Sequence, residues 1–401
     1  MQVFNLNNGL TVITDKRKTD SVAIQVTVKC GSNNESLKIN GISHFIEHML
    51  FEGTQKRPDA KTISNEIESL GGELNAYTSN ERTGFYVKVP KKHYLKAIDL
   101  ISDIVRNPLF DEKNIEKERK IILKEINLHK DEPRFHQWVL FQQALFKNLP
   151  AKNPTSGSEK SVRSLKRSDL LAYYKKYYVP SNMILSIVGD INIKNTINKY
   201  FADFQSGPKI EEKQIYEPKQ TKIIIKKEKR KIFNSYMVLG YKTLCRLHQD
   251  SYVFDVIKAI LGRGQSGKMF EEIRIKRGLA YEVGVHHEPA INYGLFAVYL
   301  NTDKKNINKI IKIILDEFEK LKDITAKELH DAVGYLEGQF ILDNEDTHDR
   351  ADELGFWASI QDAKLYSDYL RKIRTITKKD IVRVSKKYLT HNYTLAVIEQ
   401  S

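Results

Sequence analysis

The chain begins with a strand-like pattern and then shows one arrangement of apolar and polar positions twice. Residues 1–16, MQVFNLNNGLTVITDK, alternate apolar and polar side chains in the manner of a half-buried strand. Further on, the pattern predicts a helix, a glycine turn, strands around Tyr77 and a lysine-flanked amphipathic helix. The same order returns with strands around Tyr281, an offset of 281 − 77 = 204 positions. Two copies of one α/β unit are the simplest explanation.

Each copy contains more hairpin-like strand pairs than helical crossovers. This favours a mostly antiparallel sheet packed with helices, so we expect an α+β fold made of two homologous α/β domains. The segment FQSGPKIEEKQIYEPKQT, with one glycine and two prolines, follows neither the helical nor the strand period. We therefore predict an N-terminal domain over 1–204, a linker over 205–220 and a C-terminal domain over 221–401.

Composition narrows the functional classes. The longest apolar runs, such as MILSIV, are far shorter than the ~20 residues of a membrane helix, so we expect no membrane partner. Cys30 and Cys245 are the two cysteines, and with no secretion signal at the start this favours the reducing cytoplasm. The net charge of +14 would suit nucleic-acid binding, but the lysines are scattered, which favours a solvated surface and no nucleic-acid partner.

The candidate chemistry begins at residues 44–48, HFIEH, in a stretch without lysine or arginine. On a helix, His44 and His48 emerge one turn apart on one face, and Glu47 lies beside them. Such a histidine pair suits zinc, and the carboxylate is then available as a general base toward water. Two core histidines with local hydrogen bonds are the alternative. The opposite face is apolar and would anchor the helix: Ile42, Ile46, Met49 and Leu50.

A second helix, predicted from about residue 112 to 130, places two carboxylates, Glu118 and Glu125, within an apolar arc. Burying unpaired carboxylates costs several kcal/mol, so a cation should meet them. One Zn²⁺ would bind the two histidines and a carboxylate together, whereas a salt bridge to Arg119 or a neighbouring lysine is the alternative. The apolar arc is predicted from five residues: Ile115, Ile121, Ile122, Ile126 and Leu128.

These residues resemble the pitrilysin-type, or inverzincin, zinc metallopeptidases, which include insulin-degrading enzyme and the mitochondrial processing peptidase. The family signature is H-x-x-E-H, with a third ligand about 75 residues later. Glu125 lies 125 − 48 = 77 positions after His48. The resemblance implies that His44, His48 and Glu125 bind one Zn²⁺ per chain and that Glu47 is the general base. It also implies that Glu118 supports the site by contacting a ligand.

The segments HMLFEGT, GGELNAYTSNERT and RIKRGLAYEVG extend the similarity over essentially the full chain. The resemblance implies that the strand around Asn75 and Ala76 pairs with the substrate backbone, whereas ordinary sheet structure is the alternative. It also implies that Arg274 and Tyr281 reach the substrate near the scissile bond and stabilise the developing oxyanion. A core tyrosine is the alternative for Tyr281.

The family resemblance implies a zinc-dependent endopeptidase for short or unfolded peptides, in which the C-terminal domain is noncatalytic and contributes substrate contacts. This chain holds two units and so resembles the short microbial and organellar members, which assemble as dimers. The resemblance therefore implies a homodimer, with a heterodimer containing a noncatalytic homologue as the alternative. A peptide-capturing subunit with structural or absent zinc is the competing hypothesis. The complete set of His44, Glu47, His48 and Glu125 argues against it, because a structural zinc site is expected to have four protein ligands.

Overall fold

The computed structural model describes residues 1–207, 210 and 215–401, and these contain two mixed β-sheets. The predicted linker over 205–220 lies partly outside the described residues, at 208–209 and 211–214. The strands of the first sheet are β1 (Gln2–Asn5), β2 (Thr11–Asp15), β3 (Ser21–Val28), β4 (Glu73–Thr78), β5 (Thr83–Pro90) and β6 (Met183–Val188). Those of the second are β7 (Ile224–Arg230), β8 (Ser235–Thr243), β9 (Ala280–Pro289), β10 (Gly294–Thr302) and β11 (Thr394–Gln400).

Helices connect and cover these strands. Up to β7 they are α1 (Ile42–Leu50), α2 (Ala60–Glu68), α3 (Tyr94–Arg106), α4 (Glu112–Asp131), α5 (Pro133–Leu145), α6 (Glu159–Ser164), α7 (Arg167–Tyr177) and α8 (Lys194–Phe201). After β8 they are α9 (Gln249–Gly262), α10 (Ile307–Glu319), α11 (Ala326–Asp343), α12 (Thr347–Ile360), α13 (Leu365–Arg374) and α14 (Lys378–Tyr388). Within the described part of the chain, no helix combines the length and the apolar character needed to cross a membrane.

The two sheets share one topology. Their strand orders are β1-β2-β6-β3-β5-β4 and β7-β11-β8-β10-β9. When the five strands β2–β6 and the five strands β7–β11 are each numbered in chain order, they lie side by side in the same order, 1-5-2-4-3. Strand β1 is an addition at the edge of the first sheet. The neighbouring pairs β2–β6 and β7–β11 run parallel, and the other neighbouring pairs are antiparallel. The predicted α+β fold with two homologous, mostly antiparallel units is therefore confirmed.

The chain forms two compact units, each built from separate segments. One comprises Met1–Asn127, Asn153–Lys213 and Leu342–Ser367, and the other comprises Leu128–Lys152, Gln214–Ile341 and Asp368–Ser401. Consequently α12, from the second half of the sequence, packs on β3 and β6 of the first sheet. In the same way α5, from the first half, packs on β8 and β11 of the second sheet. Each half therefore supplies one helix to the sheet of the other.

Strand β3 is almost entirely buried because both of its faces are covered. Successive side chains of a strand point to opposite faces of the sheet. One face of β3 joins the main core of the first unit, together with residues of α1 and α3, and contains Val22, Ile24, Val26 and Val28. The other face contains Gln25 and Thr27, which are also buried and lie against α12. The cover provided by α12 explains why the polar residues Gln25 and Thr27 of β3 are buried.

Candidate active site

Helix α1 presents His44, Glu47 and His48 on its half-buried side. The predicted anchor of α1 is confirmed, since Ile42, Ile46, Met49 and Leu50 are all buried. Gly41 precedes the helix with φ +93°, in the left-handed region that favours glycine. Because the apolar stripe fixes the rotation of the helix about its axis, His44, Glu47 and His48 share the remaining face.

The N-terminus of α1 is capped by a residue that the sequence analysis missed. Gly41 provides no side-chain cap, and the buried carboxylate of Glu35 accepts hydrogen bonds from the N–H groups of Gly41 (2.7 Å) and Ser43 (2.9 Å). A negative group at a helix N-terminus satisfies free N–H donors and interacts favourably with the helix dipole. Glu35 therefore stabilises the start of the histidine-bearing helix from outside it.

Helix α4 supplies the two glutamates, and its predicted bounds are correct to within about one residue. The predicted apolar arc was partly wrong, because Ile121 and Leu128 are exposed. The side of α4 that faces the protein instead follows a spacing of three and four residues through Ile115, Glu118, Ile122 and Glu125. Glu118 and Glu125 thus lie on the side of α4 that packs against the protein, whereas Ile121 and Leu128 lie on the side that faces solvent.

The side chains of His44, His48 and Glu125 converge. Nε2 of His44 lies 3.6 Å from one carboxylate oxygen of Glu125, and Nε2 of His48 lies 3.7 Å from the other. One ligand atom from each of the three residues lies within 4.8 Å of the other two. Tetrahedral zinc, with ligands about 2.0–2.2 Å away, places neighbouring ligand atoms roughly 3.3–3.6 Å apart. Two imidazoles and a carboxylate at these separations fit a zinc ion.

Glu118 holds the ring of His48. Its Oε2 lies 2.9 Å from Nδ1 of His48, while Lys117 lies 3.3 Å from Oε1 and also contacts Glu52. Burial would raise the pKa of Glu118, but His48 and Lys117 hold it below its usual value. Burial would lower the pKa of His48, but its hydrogen bonds to Glu118 and Glu125 raise it to about 9. With Nδ1 engaged in this way, Nε2 faces Glu125.

Glu47 is oriented by Thr78, a second residue that the sequence analysis missed. Oγ1 of Thr78, at the end of β4, donates a hydrogen bond to Oε2 of Glu47 across 2.5 Å. Burial raises the pKa of Glu47, and this hydrogen bond partly opposes the shift. A carboxyl group with a raised pKa is better suited to accept and return a proton near neutral pH. A threonine in a strand has no sequence signal that would have indicated this contact.

Strand β4 forms one edge of the first sheet. In the described structure it pairs with β5 alone, so the backbone on its other side is available for another strand. Asn75 is exposed, and its Oδ1 accepts a hydrogen bond from the N–H of Ala76 (2.8 Å). Thr78 ends this strand, so the free edge leads to the residue that contacts Glu47.

Arg274 and Tyr281 contact each other in the second unit. Arg274 lies in a short π-helical segment, Phe270–Ile275, and Tyr281 lies in β9. The guanidinium carbon is 4.7 Å from the centre of the tyrosine ring, a cation–π contact. Tyr281 is 71% exposed, so it is not a core tyrosine. The two donor side chains thus lie together, with Tyr281 exposed and Arg274 half-buried.

Comparison with known proteins gives the same family for both halves of the chain. Residues 10–159 match the family described as Insulinase (Peptidase family M16), and residues 164–336 match the Peptidase M16 inactive domain. The chain belongs to peptidase family M16. The resemblance to the short two-domain members of this family is therefore confirmed.

Curated relatives and solved structures cover the chain end to end. A protein of Bacillus subtilis, named the uncharacterized zinc protease YmxG, is 29% identical over 99% of this chain and 98% of its own. A zinc protease of Rickettsia felis, also named uncharacterized, is 29% identical over 99% and 97%. The crystal structure of a protease from Helicobacter pylori has a TM-score of 0.94 at 23% identity, covering 99% of each chain. A structure from Pseudomonas fluorescens, named for the peptidase M16 inactive domain, has a TM-score of 0.91 at 21% identity. The solved structures establish the fold, and the M16 family with its relatives supports a zinc protease.

Proposed function

We propose that this M16 protein is a zinc-dependent endopeptidase that hydrolyses short or unfolded peptides. The proposal rests chiefly on the convergence of His44, His48 and Glu125 beside the carboxylate of Glu47. Zinc bound by the first three would polarise the scissile carbonyl and make a water molecule more acidic. Three protein ligands are typical of catalytic zinc, whereas structural sites usually have four.

The proposed site residues of α1 and α4 then have three tasks: metal binding, support of a ligand and proton transfer. His44, His48 and Glu125 hold the metal ion, and Glu118 fixes the ring of His48 so that Nε2 points toward it. Glu47 accepts a proton from the attacking water and returns it to the leaving amine. The hydrogen bond from Thr78 keeps the carboxylate of Glu47 in one orientation.

The free edge of β4 is the proposed site for the substrate backbone. An extended peptide beside Asn75 and Ala76 would add a strand to the first sheet through main-chain hydrogen bonds. Such binding is largely independent of side-chain identity, which suits short or unfolded peptides. We assign catalysis to the N-terminal domain (1–204) and further substrate contacts to the C-terminal domain (221–401), where Arg274 and Tyr281 would donate to the developing oxyanion.

The test combines metal analysis with peptide cleavage by the purified chain. Wild-type protein should contain about one zinc per chain and cleave a mixed peptide library, and a chelator should abolish cleavage. Glu47→Gln should keep the zinc and lose cleavage. Glu125→Gln should lose zinc, whereas Glu116→Gln, at an exposed position of the same helix, should retain both zinc and activity.

Two results would contradict the assignments separately. Full activity of the Glu47→Gln protein would exclude Glu47 as the base. Unchanged zinc stoichiometry in the Glu125→Gln protein would exclude Glu125 as a ligand. A zinc-loaded wild type that binds peptides without cleaving them would instead support a peptide-capturing subunit.

A further inference from the structure

We infer that Asp352 of α12 is a positioning residue for the proposed peptidase site. It lies in the helix that the second half of the sequence supplies to the first sheet. Through Tyr77 and Arg82 it holds the hairpin formed by β4 and β5, and this hairpin presents the hydroxyl group of Thr78 to Glu47. The inference rests on the proposed function, because it assigns Asp352 a role in that reaction.

Helix α12 lies unusually close to the sheet. A Cβ atom built on Gly355 would lie 2.7 Å from Oγ1 of Thr27, closer than real Cβ contacts allow. From the same face of β3, the amide of Gln25 donates to Oδ1 of Asp352 across 2.7 Å. A glycine at the contact allows this approach, and the amide of Gln25 fixes the position of the Asp352 carboxylate.

The carboxylate of Asp352 contacts β4 through Tyr77 and the turn between β4 and β5 through Arg82. Nη2 of Arg82 donates to Oδ2 of Asp352 across 2.9 Å, and the hydroxyl of Tyr77 donates to Oδ1. Nε of Arg82 donates to the oxygen of Tyr77 across 2.7 Å, which closes a three-membered network. The guanidinium also lies over the ring of Phe356, 4.7 Å from its centre, so a second residue of α12 contacts the hairpin.

The hairpin transmits this contact because Tyr77 and Thr78 are adjacent in β4. Side chains of successive strand residues point to opposite faces, so Tyr77 faces α12 while Thr78 faces α1. The ring of Tyr77 is confined by Gly84, directly opposite in β5, where an added Cβ would lie 2.5 Å from the ring. A shift of Tyr77 therefore moves Thr78 relative to Glu47.

The substitution Asp352→Asn tests this inference in the full-length, zinc-loaded chain. It replaces one carboxylate oxygen of Asp352 by an NH₂ group. The negative charge that faces Arg82 is thereby removed, while the size of the side chain is kept. We expect kcat to fall about tenfold or more, since displacing a catalytic group by ~1 Å can cost up to about a hundredfold. Zinc content should stay unchanged. Tyr77→Phe, which removes one hydroxyl group only, should lower kcat in the same direction and serves if Asp352→Asn does not fold.

Arg350→Met is the matched control on the same helix. Arg350 binds Asp15 at the end of β2 across 2.9 Å, and both side chains are largely buried. Its loss should lower the melting temperature but leave kcat within about twofold, because this contact does not involve the hairpin. Hydrogen exchange of the backbone amides at 75–84 gives a second readout. Exchange there should speed up in Asp352→Asn and not in Arg350→Met.

The outcomes are separable. An Asp352→Asn protein with wild-type kcat and wild-type exchange at 75–84 would overturn the inference. So would an Arg350→Met protein that loses as much kcat for the same loss of stability, because the role would then be purely structural. A wild-type chain without zinc-dependent cleavage would reject the proposed function, and the exchange comparison would still decide whether Asp352 positions the hairpin.

Discussion

The hydroxyl group of Thr78 and the carboxylate of Glu47 form a hydrogen bond of 2.5 Å that joins the end of β4 to the histidine-bearing face of α1. The strand proposed to bind the substrate thus also orients the proposed base. Binding geometry and proton transfer are therefore linked through one side chain. This link gives a direct test of whether the orientation of Glu47 matters.

Replacing Thr78 by valine removes the hydroxyl group and keeps the shape of the side chain. A hydrogen bond to a charged group contributes about 1.5–3 kcal/mol, so kcat should fall about 10- to 100-fold while zinc content stays the same. Steady-state kinetics with metal analysis measure both quantities. Thr78→Ser keeps the hydroxyl and should stay near wild type; equal losses in both variants would show that the hydrogen bond is unimportant.

Replacing Glu118 by alanine should weaken zinc binding. The change leaves Nδ1 of His48 without its carboxylate partner, and the loss of such a contact typically costs about 10- to 100-fold in metal affinity. Competition with a chelator of known affinity measures the effect. Glu118→Gln, which retains an acceptor oxygen, should show a smaller loss. Wild-type affinity in the alanine variant would contradict the role of Glu118.

Arg57 should be a major source of stability in the first unit. Its guanidinium is almost fully buried and binds Glu66, Asp99 and Asp103 at 2.6–2.7 Å. Arg57→Met would leave these carboxylates facing one another without their buried cation, so we expect a loss of about 3 kcal/mol in the free energy of unfolding. Urea denaturation measures this loss.

Lys56→Met is the control for Arg57→Met. Lys56 also binds Asp99, but its side chain is largely exposed. An exposed ion pair contributes at most about 1 kcal/mol, so the control should be only slightly destabilised. Similar losses in the two variants would mean that burial of the Arg57 cluster has no special importance.

Acid should destabilise the second unit through His287. Its buried ring hydrogen-bonds Asp255 at 2.8 Å, beside Arg246, with Tyr369 on the same carboxylate and Lys258 contributing a further positive charge. Burial lowers the pKa of His287 and outweighs the opposing effect of Asp255. The folded state therefore keeps this histidine neutral, whereas the unfolded chain binds a proton below a pH of about 6.5. Stability should fall as the pH decreases below that value.

Denaturation curves at pH 7.5 and 5.5 test this prediction. His287→Asn keeps a neutral donor toward Asp255 but cannot titrate, so its stability should depend less on pH over this interval than that of the wild type. His391→Asn, at an exposed histidine, is the control and should leave the pH dependence unchanged. The same pH dependence in wild type and His287→Asn would contradict the assignment.

Local sequence patterns predicted much of the fold, and together with the family resemblance they indicated the proposed zinc ligands. The apolar spacing of Ile42, Ile46, Met49 and Leu50 determines which face of α1 is buried, and therefore which face presents the histidines. The internal repeat predicted two homologous units, and the two sheets share one strand order apart from the additional β1. The spacing between His48 and Glu125 indicated the third member of the cluster by family resemblance.

The tertiary structure alone decided the contacts between residues distant in sequence. Ile121 and Leu128 fit a helical apolar arc, yet they are exposed because the neighbours of α4 cover another stripe. The contact of Thr78 with Glu47 depends on how β4 lies beside α1, and that of Asp352 with Arg82 depends on a helix supplied by the other half of the chain. Periodicity specifies which face of an element is apolar. The partner of each polar group depends on packing between elements, and a single sequence contains no local signal for it.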